Sequence, residues 1–182
     1  MCSSDLTYLR RGFAHVVPAP EHALFAVGMF ALGAGLLPLL ALLGTFTLAH
    51  TLALALTVFG VVTLRPTIVG PMIGLSLAYL AAEILLKARL ERGRSGLVFA
   101  LGLLFGTGFA GGLELPTSDH GIALAAYGLG VAGAQLAVVA VLTVLLGWAQ
   151  KRAWYRSRVV VPLSALVVVF GLWLSVARWM GD

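Results

Sequence analysis

The amino-acid sequence predicts an all-α membrane protein, a bundle of about six transmembrane helices with both chain ends outside. Three observations carry the prediction. Only 10% of the 182 residues are charged and 60% are hydrophobic, whereas roughly 25% of an average soluble domain is charged. A soluble fold of this size would lack the polar side chains to cover its surface. The apolar residues fall in long runs, each near the roughly 20 residues that one crossing requires. The basic residues cluster between those runs, at 87–94 and 151–158. In a soluble chain the net charge of +5 would point to nucleic acid. With eight of the twelve lysines and arginines in those two short loops, it is instead the charge bias of cytoplasmic loops. The lipid bilayer is the partner it implies, and nucleic acid is excluded.

The opening Met1–Leu6 (MCSSDL) reads as translated adapter sequence, so it is set aside and one membrane domain is assigned to residues 7–182. Residues 9–21 read as a short interfacial stretch that holds Arg10, Arg11 and His15 and is broken by Pro18 and Pro20. The first span is expected over His22–Leu43 and the second over Gly44–Leu64, with a tight turn between them. Arg65 and Pro66 end the second, because proline disfavours helical geometry in the residue before it. The third span is expected over Ile68–Leu86 and the fourth over Gly96–Leu115. A turn follows at residues 116–120, then a fifth span over Gly121–Trp148 and a sixth over Val159–Trp179.

Loop charge sets the orientation. The two basic clusters follow spans three and five, which places both in the cytoplasm. The loop between them, with Glu114 and Asp119, falls outside, and so do both chain ends. Arg10 and Arg11 run against this assignment.

An ionisable side chain inside the hydrocarbon costs at least roughly 2.5–3.5 kcal/mol on insertion scales, so the few in this chain call for a reason. His50 lies about six residues into the expected second span. It reads either as a metal ligand on an ion path or as a neutral imidazole bonded to a neighbouring helix. Glu83 precedes Lys87 by four residues, the favourable order for a helical ion pair, and a structural pair is its simpler reading. His15, Glu21 and His22 stand together at the expected outer mouth of span one, and imidazole with carboxylate suits nickel, cobalt, zinc or copper. Histidines at membrane surfaces are common without any metal. From the expected boundaries, at 1.5 Å per residue, His22 and His50 should lie roughly 20 Å apart, as successive stations and not as ligands of one ion, unless span one is re-entrant or shorter than drawn.

Spans four and five carry glycines at close spacing, among them Gly102, Gly106, Gly108, Gly128 and Gly130. Small residues at this spacing let helices approach closely, and a homo-oligomer is compatible with them. Thr107 and Gln135 are then candidates for interhelical hydrogen bonds or for lining a path. Cys2 is the single cysteine, which leaves no internal disulfide. No nucleophile–base pair, phosphate loop or zinc-protease motif is present, so nothing supports an enzyme.

Five segments in order carry a family resemblance. Residues 12–25 (GFAHVVPAPEHALF) resemble a G-x-x-H-I-x-x-G-x-D-H-x-L-F motif, with Ala19 for Gly and Glu21 for Asp. Residues 46–51 (FTLAHT) are similar to F-T-x-A-H-S, and residues 75–83 (LSLAYLAAE) to a third-span motif ending in Glu. Residues 106–110 (GTGFA) resemble H-G-x-G-F-A without its histidine, and residues 154–156 (WYR) a late aromatic-basic loop. Together they resemble the HupE/UreJ membrane proteins over about residues 12–178. The resemblance implies a multi-pass protein of the bacterial inner membrane that handles nickel or cobalt as a transported ion near hydrogenases and ureases, with metal-enzyme maturation proteins as partners. It assigns His15, Glu21, His22 and His50 to the metal. Several polar positions of the family are apolar here. Phe105 stands where a histidine is implied, Gly70 for an acidic residue, Ile84 for an asparagine and Ala132 for a glutamate. These departures support a second expectation, a non-transporting membrane module that anchors an extracytoplasmic domain or a partner protein.

Overall fold

The computed structural model describes residues 3–31, 35–86, 93–108 and 120–181. Their regular structure is helical: α1 Ser3–Val16, α2 Pro20–Ala31, α3 Leu36–Val58, α4 Pro66–Leu86, α5 Arg94–Gly108, α6 His120–Leu146 and α7 Val161–Met180. A short 3-10 turn, Gly147–Ala149, and a π turn, Arg156–Val160, join α6 to α7. Four helical stretches are long and apolar enough to cross a bilayer: Leu36–Val58, Pro66–Leu86, His120–Ala149 and Arg156–Met180. The fold is that of an all-α membrane protein.

The first third departs from the expected spans. Gly44 lies inside α3 and makes no turn there. The turn comes earlier, where Gly35 takes a φ of 85°, a conformation open mainly to glycine. The helix from Leu36 then continues to Val58 and ends before Arg65. Gly60, at φ 72°, closes it, with Val61 N–H donating to Leu56 O and Gly60 N–H to Thr57 O. This pairing satisfies carbonyls that the helix end would otherwise leave open. Pro66 then opens α4, where a missing N–H costs nothing.

Three helix pairs build the bundle, and glycines set their closeness. α4 and α7 run antiparallel. A Cβ at Gly74 would meet Gly171 O and Ser175 N at 2.6 Å, and one at Gly171 would meet Gly74 O at 2.7 Å. α3 and α5 run parallel, with Gly102 against Phe46 and Ala49, and Gly106 against the His50 carbonyl and Ala53. α1 and α6 also run parallel, with Gly12 on the Tyr127 carbonyl and Gly130 on that of Leu9.

The start of α5, the approach to α7 and the end of α4 meet at one end of the bundle, where Arg156 Nη2 donates to Leu85 O at 3.0 Å. The described parts of both basic clusters therefore share an end, called the basic end below. Lys87 and the rest of 87–92, and Glu114 with Asp119, lie outside the described residues.

Residues 9–16 belong to a helix packed along α6 and do not form a loose surface stretch. Tyr8 packs with Ala123 and Ala126, whereas Val16 packs deeper, with Val131 and Ala134. α1 therefore descends from the far end. After the break at 17–19, α2 continues to the basic end, where Met29 and Phe30 share a cavity with Leu36 and Gln150. The first pass is a broken helix of 14 and 12 residues. With α3 to α7 the described helices run six times along the bundle, and four of these runs are long and apolar enough to cross a membrane.

Candidate functional site

The break places its flanking residues inside the bundle. Pro18 and Pro20 each remove a backbone donor and interrupt the helix between them, so His15 falls at the last turn of α1 and Glu21 and His22 at the first turn of α2. Non-helical backbone at membrane depth is tolerated only where protein or a cavity surrounds it. Glu21, His22 and His50 are each fully buried.

The ring of His22 lies 5.2 Å from that of His15 and 5.4 Å from that of His50. The expected separation of His22 and His50, roughly 20 Å by helix rise, is thus overturned. The error came from one boundary: α3 begins at Leu36, so His50 sits mid-helix, and span one is interrupted next to His22. Among the described residues, neither nitrogen of His50 has a hydrogen-bond partner. An unbonded buried imidazole is costly; in its neutral form it leaves one N–H and one lone-pair nitrogen, and the latter is available to a ligand.

With a metal–nitrogen bond of about 2.1 Å, two imidazoles on a tetrahedral ion have ring centres about 5.2 Å apart. Both histidine pairs fall close to that value, as do the edge contacts of Phe105 with His22 and Phe46, so the spacing permits shared ligation and is also that of ordinary ring packing. Even so, among the described residues no three His, Cys, Asp or Glu side chains converge as a metal cage. His22 is the shared member of two adjoining pairs, and the chain of contacts His15–His22–His50 is called the row below.

Aromatic rings floor the row. Phe105 stands 5.3 Å from His22, Phe46 stands 6.2 Å from it, and Phe25 stacks on Phe46 at 4.0 Å. His22 and Phe46 each contact both Phe105 and His50, and beside His50 itself packs Gly106. Tyr127 adds an edge at 5.8 Å from His15. Glu21 does not stand among the imidazoles alone. Its Oε1 accepts a hydrogen bond from Arg178 Nη2 at 2.7 Å.

The remaining candidates divide. Thr107 makes no interhelical bond through its hydroxyl, which donates to Leu104 O within its own helix. Gln135 is fully buried, and among the described residues its amide makes no hydrogen bond. It lies on α6 between Val131, which packs with Val16 and Leu54, and Val139, which packs in the cluster of Phe25 and Phe46. That places it near the depth of the histidine row. Glu83 forms an ion pair with Arg94 at 3.7 Å; its expected partner Lys87 is outside the described residues. Ile84 packs in the core, and Ala132 lines a groove between α3 and α6.

Sequence reasoning missed Arg178 and Arg94. Arg178 was read as the tail of an apolar span and Arg94 as one of a loop cluster, yet Arg94 is 2% exposed. A lone arginine late in an apolar run was the available signal for Arg178.

No curated protein and no solved structure gives a significant match to the chain. A family model described as HupE / UreJ protein matches residues 2–178. The match covers almost the whole described bundle, including the broken first pass and its histidines, and the chain belongs to the HupE/UreJ family.

Proposed function

We propose that this protein carries a divalent transition-metal ion, nickel or cobalt, across the bacterial inner membrane. The observation that carries the reading is the row His15–His22–His50, set around a helix break inside the bundle at ring spacings suited to shared metal ligation. Broken helices at membrane depth are a recurrent way to build ion sites in transporters. Neutral imidazole is an intermediate donor that suits nickel, cobalt, copper and zinc. A row of pairs, each too small to form a cage, binds weakly enough to pass an ion along.

In this reading the far end faces out and the basic end faces the cytoplasm. An ion enters beside His15 and Glu21, is shared by His22, and reaches His50. With Cys2 replaced by serine, single cysteines at Ser95 and Ser157 should resist a membrane-impermeant thiol reagent in intact cells, and one at Thr63 should react. The opposite pattern would invert the path.

The transport test is nickel and cobalt accumulation in cells that express the protein. The parent should exceed the empty vector several-fold, and His50→Ala should return accumulation to the vector level at unchanged expression. A specific observation favours the rival reading, a membrane module that anchors a partner: Phe105 fills the floor of the row with a ring that has no lone pair. Parent cells that never exceed the vector would decide for that module.

A further inference from the structure

We propose that Arg178 is a tethered cation that occupies Glu21 until an incoming metal ion displaces it. The proposal rests on the metal-carrying reading above and adds to it a residue that sets the affinity of the entry site.

Four observations lead there. Glu21 has a side chain only 1% exposed, and its partner Arg178 is 29% exposed at 2.7 Å. A buried carboxylate needs a compensating charge, and here that charge comes from the far end of another helix, 157 residues away in sequence. Only one carboxylate oxygen is engaged; among the described residues Glu21 Oε2 has no hydrogen-bond partner. The pair is therefore monodentate, short of the two-pronged grip that guanidinium and carboxylate can form. The arginine stem also passes over Gly70, where an added Cβ would lie 3.0 Å from Arg178 Cδ. A side chain at Gly70 would make the stem give by a few tenths of an ångström. Finally, Glu21 and His22 are adjacent and both fully buried, so a guanidinium charge held on Glu21 opposes a bound cation at the imidazole as well as at the carboxylate.

A long, partly exposed side chain at the last turn of α7 can swing away without moving the helix. A divalent ion at Glu21 and His22 would take over compensation of the carboxylate and repel the guanidinium. Arg178 thus keeps the site electrically complete when it is empty, and a cation must outcompete it to bind.

The experiment is calorimetric titration of the detergent-purified full chain with Ni²⁺, in the parent, Arg178→Ala, Gly70→Ala and His22→Ala. Arg178→Ala should bind on the order of tenfold more tightly, between what exposed and buried ion pairs contribute. Added guanidinium ion should weaken that variant's binding and leave the parent's nearly unchanged. Gly70→Ala keeps both charges, crowds the arginine stem, and should tighten binding about two-fold; it carries the test if Arg178→Ala does not fold. Metal binding in the parent that is lost in His22→Ala, but is no tighter in the Arg178 and Gly70 variants, would overturn the tethered cation and leave the carrying reading intact. Binding that appears only once Arg178 is removed supports the tether. No His22-dependent binding in any folded variant would overturn both.

Discussion

The α4–α7 seam and the α1–α2 break are two opposite ways of filling the interior of a bundle. At the seam, Gly74 and Gly171 bring two continuous helices into backbone contact, and the positions between them are small or aliphatic. At the break, a helix is cut by two prolines, and within eight residues it presents His15, Glu21 and His22 to a third histidine from α3. The seam gains from close van der Waals packing, the main attraction open to helices in lipid. The break retains polar groups whose burial is costly and so contributes little to holding the bundle together. Close packing and the histidine row are thereby centred on different helix pairs, joined where Arg178 crosses Gly70 to reach Glu21, and substitutions away from that crossing should separate them.

The largest expected effect is at the seam. Gly74→Leu drives a side chain into Gly171 O and Ser175 N, atoms of backbone that cannot swing aside, and should destabilise the protein by about 3 kcal/mol or more. Its signature is lost yield or a collapsed thermal midpoint in detergent. Gly44→Ala is the control, because nothing lies within 4 Å of that position; it should match the parent or improve on it slightly. A well-folded Gly74→Leu would mean that the seam is not where the bundle is held.

His22→Ala should do the reverse. It removes the ring common to both histidine pairs, so Ni²⁺ binding should fall at least tenfold, while the thermal midpoint moves by only a few degrees; truncating a buried ring leaves a cavity, but it also removes polar atoms from a dry interior. A midpoint collapse like that of Gly74→Leu would show the row to be a structural element.

How much of this was legible follows the same division. The continuous helices α4, α6 and α7 could be read closely from hydropathy, since each is one apolar run between polar or basic punctuation. The break could not. Residues 22–64 form a nearly unpunctuated apolar run, and hydropathy cannot distinguish a 12-residue helix followed by a turn at Gly35 from a full-length span. Arg10 and Arg11 made α1 look like a surface segment, because its packing on α6 depends on partners 115 or more residues away. The site residues stood out as ionisable groups in apolar sequence, which is a local property. Their convergence, and the Arg178–Glu21 pair, are tertiary, and an error of eight residues in one helix start displaced His50 by roughly 12 Å.

The smallest expected effect sharpens the comparison most, because it asks whether the break can be made a better site without disturbing the seams. Phe105 is fully buried, and its ring lies 5.3 Å from both His22 and Phe46, the spacing that the two histidine pairs already show. Phe105→His would put a lone pair at a third side of His22 with no change of backbone, since Gly102 and Gly106 fix α5 against α3 on either side of it. The new imidazole would sit against Phe25 and Phe46, so burying it costs about 1–3 kcal/mol, and that cost offsets much of the gain in ligation. The net expectation is Ni²⁺ binding about three-fold tighter, accompanied by a modest loss of stability in the metal-free protein. Combining Phe105→His with His22→Ala should erase the gain, whereas combining it with His50→Ala should keep most of it, because the imidazole in contact with the Phe105 ring is that of His22. A gain that vanishes with His50 and survives the loss of His22 would mean that the ring order in the row is wrong.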